Sequence, residues 1–182
     1  MRAALVFIIQ TIAQLYLLVL LLRFWLPFVR ADFRNPIAQG IVRLTSPLVI
    51  PLRRVIPPIG RIDTATVIIA FAIQYLTILV VLAIYGTTSS VLPIAITAAL
   101  DLLLLTLRLF TFAIFILVIL SWVAPGTYNP ATAFIAMLVE PVLRPFRKII
   151  PPISGLDLSP MAAIIALMAV SILIGDYRPI PF

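Results

Sequence analysis

The stretch SPLVIPLRRVIPPI, residues 46–59, recurs 94 residues later as EPVLRPFRKIIPPI, residues 140–153. The residues that match at this spacing are Pro47 and Pro141, Pro51 and Pro145, Pro57 and Pro151, Pro58 and Pro152, Arg53 and Arg147, Arg54 and Lys148, and Asp63 and Asp157. Self-similarity at a fixed spacing marks an internal repeat. We therefore predict two tandem copies of one unit, residues 1–88 and 89–182.

Long uncharged runs flank both copies of this stretch. Of the 182 residues, 64% are hydrophobic and 10% are charged, which is too much apolar surface for a globule of this size to hide from water. A hydrocarbon core about 30 Å thick is crossed by about 20 helical residues, and the runs approach or exceed that length. The chain is predicted to contain four transmembrane helices, at about 3–25, 64–85, 102–123 and 159–175.

The start of the third helix has two interpretations. Residues 86–90 read Gly-Thr-Thr-Ser-Ser, and Pro93 follows, so this segment breaks the uncharged run and predicts a hairpin of two helices. Residues 91–101 then form either an interfacial helical turn ahead of the span or the first part of one long tilted helix.

The positive charges favour one orientation in the membrane. Seven Lys or Arg residues lie between Arg23 and Asp63, and three lie between residues 124 and 158. Because positively charged loops stay in the cytoplasm, both loops are predicted to be cytoplasmic and both termini outside. Each unit contains an even number of spans, so the repeats run in the same direction. The predicted fold is an all-α membrane protein of two parallel helix-loop-helix repeats.

Each loop is predicted to hold short amphipathic helices at the membrane interface. Asn35 and Asn129 look like N-caps, because each precedes a proline at the first helical position. Pro47 and Pro141 are expected to end the first short helix of each loop, and a second would end at the double proline. These loops should lie on, or dip into, the cytoplasmic leaflet.

Seven polar residues within or beside the spans are candidates for function, namely Gln10, Gln14, Gln74, Asp101, Thr106, Arg108 and Thr111. A charge inside the membrane is costly and therefore a functional candidate by default. Asp101 and Arg108 are about 10 Å apart along one helix, so they need not pair with each other. The alternative is that the glutamines bond between helices while Arg108 extends towards the interface.

The composition also excludes several classes of chemistry. Cysteine and histidine are absent, which removes thiol chemistry, disulfides and the usual nucleophile pairs. The six acidic residues are scattered, so no paired carboxylates are predicted. We expect no catalytic residue, metal or cofactor. The net charge of +7 flanks hydrophobic runs, which predicts contacts with anionic lipid headgroups rather than nucleic acid.

Two hydrophobic helices around the motif P-x3-P-x-R-[RK]-x-[IL]-P-P-[IM]-x-x-[IL]-D resemble the YggT family of bacterial membrane proteins and its YlmG-like relatives. The resemblance covers about residues 5–85 and 102–175. In the second copy Ser154 replaces Gly60, and the arginine-rich lead-in at residues 23–34 is missing. The resemblance implies a multi-pass protein of the bacterial inner membrane, associated with osmotic stress tolerance or with membrane organisation and assembly.

The first functional hypothesis is a non-enzymatic factor that supports membrane integrity or osmotic stress tolerance. It would act through lipid or protein contacts of Arg53, Arg54, Arg147 and Lys148, although these charges could serve only to set topology. The second hypothesis is an ion channel or transporter component, with osmotic or potassium-linked flux, which with four helices would require a homo-oligomer. The third is a membrane assembly or organisation factor.

Overall fold

The computed structural model describes residues 1–29, 32–123, 129–150 and 157–180. Within these ranges the chain forms six helices: α1 Arg2–Trp25, α2 Pro36–Arg53, α3 Thr64–Tyr85, α4 Val91–Val123, α5 Pro130–Ile149 and α6 Ser159–Gly175. The predicted all-α class is confirmed for the described residues.

Three of these helices, α1, α3 and α4, are long and apolar enough to cross a membrane. Helix α6 is a shorter apolar helix of 17 residues, so its crossing of the membrane stays a prediction. Large apolar side chains cover the outward faces of the helices, Phe7, Leu15, Phe112 and Ile165 among them, where acyl chains rather than water would surround them. The chain is a multi-pass membrane protein.

Helix α4 begins earlier than predicted. It runs without interruption for 33 residues, about 50 Å, so the start near residue 102 is wrong and the long-helix interpretation is correct. Pro93 does not interrupt it, because this residue lies in the first turn, where backbone N–H groups have no partner within the helix. The break lies at Gly86, whose φ of 72° ends α3, and the backbone N–H of Thr87 closes the turn on the Leu82 carbonyl at 3.0 Å.

The loop helices are also continuous where two short helices were predicted. Helix α2 passes through Pro47 and Pro51, and α5 passes through Pro141 and Pro145, so the expected stops are wrong. Prolines four residues apart share one helix face, and all four lie on an exposed face. The carbonyl groups that they leave unpaired can therefore be satisfied by water or lipid headgroups.

The predicted caps of the loop helices are confirmed. The Asn35 side-chain oxygen accepts a hydrogen bond from the backbone N–H of Ile37 at 2.9 Å, and Asn129 does the same for Ala131 at 2.9 Å. Pro57 and Pro58 follow the end of α2. Pro151, Pro152 and Ser154 lie outside the described residues.

Both loop helices pack at the same end of the bundle, here called the loop end. Helix α2 contacts α5, and the Asn35 side-chain amide donates to the Pro130 carbonyl at 2.8 Å. The largest buried cluster joins them to α4 and α6 through Ile41, Ile114 and Leu138, among others. Residues 86–90, the N-terminus and residues 176–180 lie at the opposite end, the hairpin end. Two loops at one end is the arrangement that parallel repeats require.

Candidate functional site

A polar cavity of about 160 Å³ lies between the spanning helices. Its polar lining consists of Gln10 and Gln14 from α1, Gln74 and Thr77 from α3, Asp101 and Arg108 from α4, and Arg178 just beyond α6. Five of the seven residues that the sequence singled out as polar groups in the spans thus line one cavity. Thr106 and Thr111 instead donate to the backbone carbonyls of Leu102 and Leu107 in their own helix, at 2.8 and 2.9 Å. Polar side chains within a membrane bundle cluster because hydrocarbon cannot satisfy them.

Asp101 is held by two donors in this cavity. The Gln74 side-chain amide donates to its Oδ2 at 2.8 Å, and Arg178 Nη1 donates to its Oδ1 at 3.2 Å. Arg178 was not among the candidate residues, because it follows the last apolar run and lies outside the predicted spans. The predicted topology nevertheless placed the C-terminal segment at the hairpin end, which Asp101 approaches.

Arg108 occupies the other end of the polar lining. Its side chain is exposed and forms no hydrogen bond or ion pair with any residue that the structure describes. It lies two helical turns from Asp101, so the expectation that these two charges need not pair holds.

The cavity lies between the two repeats. The shift of 94 residues that aligns the copies makes Gln14 the equivalent of Arg108, and both side chains line the cavity. Equivalent positions of α1 and α4 therefore contribute different chemistry to the same space, an amide from the first copy and a guanidinium from the second.

The repeated motif forms the same ion pair in both copies at the loop end. Arg53 Nη2 lies 2.5 Å from Asp63 Oδ2, and Arg147 Nε lies 3.0 Å from Asp157 Oδ2. In each copy the first basic residue thus joins the end of a loop helix to the start of the next helix. The second basic residues, Arg54 and Lys148, are exposed and make no ion pair within the described part of the chain.

The first copy adds a buried arginine to this ion pair. Arg23 Nη1 donates to the Thr45 hydroxyl at 2.7 Å and to the Val42 carbonyl at 3.2 Å, while its Nε lies 3.6 Å from Asp63 Oδ2. The side chains of Arg23 and Asp63 are 7% and 5% exposed. Sequence reasoning treated Arg23 as a flanking charge, since nothing local in the sequence links it to a carboxylate 40 residues away.

The second copy reverses the balance of charge. Leu117 stands at the position equivalent to Arg23, and Glu140 stands at the position equivalent to Ser46. Arg147 Nη1 binds Glu140 Oε2 at 2.7 Å in addition to its contact with Asp157. The first cluster therefore has two arginines around one carboxylate, and the second has one arginine between two carboxylates.

Both motif carboxylates are stabilised in the charged form. Burial acts to raise the pKa of Asp63, but hydrogen bonds from Arg53 and Thr66 outweigh it, and the pKa lies below its ordinary value. For Asp157, burial likewise acts to raise the pKa, and hydrogen bonds from Ser159 and Arg147 bring it below the ordinary value. These groups are ionised at neutral pH, as ion-pair anchors must be.

Comparison with known sequences identifies the repeated unit. The CCB3/YggT family profile matches residues 2–84 and again residues 96–177. The chain belongs to the CCB3/YggT family. The two matches bear out the recognition of two tandem YggT-type repeats, and their starts differ by the same 94 residues as the motifs.

Relatives of this YggT-family chain share nearly its whole length. The protein PA0392 of Pseudomonas aeruginosa is 46% identical over 176 residues, which is 96% of this chain and 89% of that one. YggT of Escherichia coli K12 is 35% identical over 173 residues, covering 94% and 89%. A Vibrio alginolyticus protein described as lying in the proC 3' region is 40% identical over 172 residues, covering 93% and 92%. No solved structure gives a significant match.

Proposed function

We propose that this YggT-family protein is a non-enzymatic protein of the bacterial inner membrane that binds anionic lipid headgroups through a basic face at the loop end. Through these contacts it supports membrane integrity under osmotic stress. The carrying observation is that two amphipathic loop helices pack side by side, with apolar faces against the bundle and exposed basic residues outside. These residues are Arg43, Arg144 and Lys148 on the helices, Arg54 directly after α2, and Arg34 and Arg61 in the segments before and after α2.

The two basic residues of each motif have different contacts. Arg53 and Arg147 are engaged by carboxylates and hold the loop helices in place, which leaves Arg54 and Lys148 for lipid. A Lys or Arg near an anionic surface contributes roughly 1 kcal/mol, so six such residues are enough to retain anionic lipid beside the protein. The positive-inside rule places this face in the cytoplasm, with α6 as a fourth span and both termini outside.

The test measures which lipids stay bound. Protein extracted into detergent with an equal mixture of anionic and zwitterionic phospholipid is analysed by native mass spectrometry. We expect enrichment of anionic lipid on the wild type and a clear reduction when Arg54→Gln and Lys148→Gln are combined. Arg2→Gln removes one positive charge at the hairpin end and should leave the enrichment unchanged. Equal retention of the two lipids by wild type would refute the proposal.

The functional arm of the test is growth. The chromosomal copy is deleted, and the deletion strain is complemented with wild-type protein or with the variant that combines Arg54→Gln and Lys148→Gln. When the two proteins are equally abundant in the membrane, cells with the variant should recover from an osmotic upshift as poorly as the uncomplemented deletion strain. If cells with the variant recovered as well as cells with the wild-type protein, lipid binding by these residues would not be required for stress tolerance, and this part of the proposal would be refuted.

A second candidate function is ion conduction by a homo-oligomer, favoured by the convergence of polar side chains in the cavity between the repeats. It is tested by ion flux through purified protein in sealed liposomes under an osmotic step. Flux that is present in wild type and lost in Arg108→Ala would support a pathway along α4. Absence of flux in correctly inserted wild type would exclude conduction by this protein alone.

A further inference from the structure

We propose that the cavity between the repeats is a binding site for a phosphate-type oxyanion, with Arg108 as its main ligand and Arg178 as its second. The site lies on the hairpin side of the basic face and does not depend on it. It also does not require conduction, because a ligand can bind in a cavity that does not pass through the membrane.

The net charge of the cavity lining indicates that the ligand is negatively charged. Among the described residues, the charged groups that line the cavity are Asp101, Arg108 and Arg178, so the cavity carries one positive charge in excess. Asp101 is matched by Arg178 at 3.2 Å, and the unmatched charge is that of Arg108. An unpaired guanidinium inside a membrane bundle is unfavourable, and a bound anion offsets it, whereas a bound cation would add to it.

The unsatisfied donors give the class of ligand. Arg178 Nε is buried and has no hydrogen-bond partner among the described residues. In the same part of the chain, neither Gln10 nor Gln14 forms a side-chain hydrogen bond, and both line the cavity. Guanidinium groups pair with carboxylate and phosphate through two parallel bonds, and amides add further donors. A tetrahedral oxyanion has acceptors in enough directions to meet donors that come from α1, α4 and the C-terminal segment.

The dimensions of the cavity accommodate such a group. A volume of 160 Å³ corresponds to room for on the order of ten water-sized positions. Arg108 lies about 10 Å from Asp101 along α4. Arg178 contacts Asp101 through Nη1, so an anion held by both arginines lies between Arg108 and the ion pair of Asp101 and Arg178. Gln14 and Arg108 are both exposed, which leaves the cavity open beside them. Inorganic phosphate and the phosphate of a phospholipid share the required chemistry.

The experiment measures thermal unfolding of the full chain in detergent after removal of lipid. Inorganic phosphate is titrated against chloride at equal ionic strength, and a short-chain phosphatidylglycerol is titrated against a neutral lipid with the same acyl chains. A ligand that binds only the folded state raises the midpoint with its concentration. A rise with phosphate that is weakened by Arg108→Gln identifies a free anion as the ligand of the cavity, and a rise confined to the anionic lipid and weakened by the same change identifies a headgroup.

Two variants with opposite expected effects test the assignment. Arg108→Gln should weaken the apparent affinity at least about tenfold, because it removes the unmatched charge. Asp101→Asn should strengthen the affinity, because it removes the one negative charge in the lining. A cation site would show both effects reversed, so the pair distinguishes the two kinds of site even if one variant were unstable.

Matched controls separate this site from the basic face. Arg2→Gln also removes an arginine near the hairpin end, and it should leave the affinity for both probes unchanged. The combined Arg54→Gln and Lys148→Gln changes serve as a background in which the lipid contacts of the basic face are removed, and in that background Arg108→Gln should still weaken the affinity. Equal affinity of wild type and Arg108→Gln for both probes would overturn the proposal, and so would a midpoint that responds to neither probe. In either case the retention of anionic lipid at the loop end is unaffected.

Discussion

Substituting asparagine for the motif aspartate should destabilise the protein far more in the first repeat than in the second. Asp63 and Asp157 are equivalent in sequence, and each binds the arginine ten residues before it. Their surroundings differ, since the Asp63 side chain is 5% exposed and the Asp157 side chain is 42% exposed. The two variants therefore make the same chemical change at sites that differ in burial and in the charges that remain.

The magnitudes follow from that burial. Asp63→Asn leaves Arg23 buried without a counter-charge, and removing one partner of a buried ion pair typically costs about 3–5 kcal/mol. Arg23 keeps its hydrogen bonds to Thr45 and Val42, so we expect a loss of about 3 kcal/mol in the free energy of unfolding. Asp157→Asn breaks an exposed pair, for which measured contributions are about 0.2–1 kcal/mol.

The assay is reversible unfolding in mixed micelles, in which a denaturing detergent is titrated against a mild one while helix content is recorded by circular dichroism. Arg53→Gln is a useful third variant. It removes the exposed partner and leaves the Arg23 contact with Asp63, so its loss should fall between the other two. A difference of less than about 1 kcal/mol between the two aspartate variants would refute the claim that burial decides the contribution of this pair.

Three further outcomes are expected. The pKa of Asp63 is lower in the folded state than its ordinary value, so the ionised carboxylate stabilises the fold above the ordinary aspartate pKa. This stabilisation is lost as the pH falls through the folded-state pKa. A series of unfolding midpoints measured at decreasing pH should show the loss, and the loss should be smaller in Asp63→Asn. Gly86→Ala should cost about 1 kcal/mol in the micelle assay, because φ is 72° there, and Gly40→Ala within α2, where nothing blocks a Cβ, should not reduce stability. Asn129→Ala removes a helix cap and should cost about 1 kcal/mol. Asn35→Ala should cost more, because the Asn35 side chain caps α2 and also donates to the Pro130 carbonyl. Equal losses of stability in the two variants would contradict this.

Features that depend on neighbouring residues were predictable. The N-caps Asn35 and Asn129 combine a capping side chain with a proline at the next position, and both form as expected. The ends of α3 follow from an uncharged run with Asp63 before it and Gly86 after it. The repeat itself was visible because prolines and charges recur at one spacing.

Features that depend on distant residues were not predictable from the local pattern. Whether Pro47 ends a helix depends on which face of α2 turns away from the bundle, and only packing decides that. Arg23 and Arg178 were not among the candidate residues, because their carboxylate partners are 40 and 77 residues away. The convergence of the five polar residues required the helices to be placed side by side.

The unequal residues at equivalent positions of the cavity have a consequence for how such a protein can be built. A symmetric dimer of single-repeat chains would place two identical side chains at these positions, either two arginines that repel each other or two uncharged glutamines. Joining the repeats in one polypeptide lifts that constraint, and here Gln14 and Arg108 give the interface a single positive charge. A chain with two fused repeats can place a single charge at one of two equivalent positions, whereas a symmetric dimer must place the same charge at both.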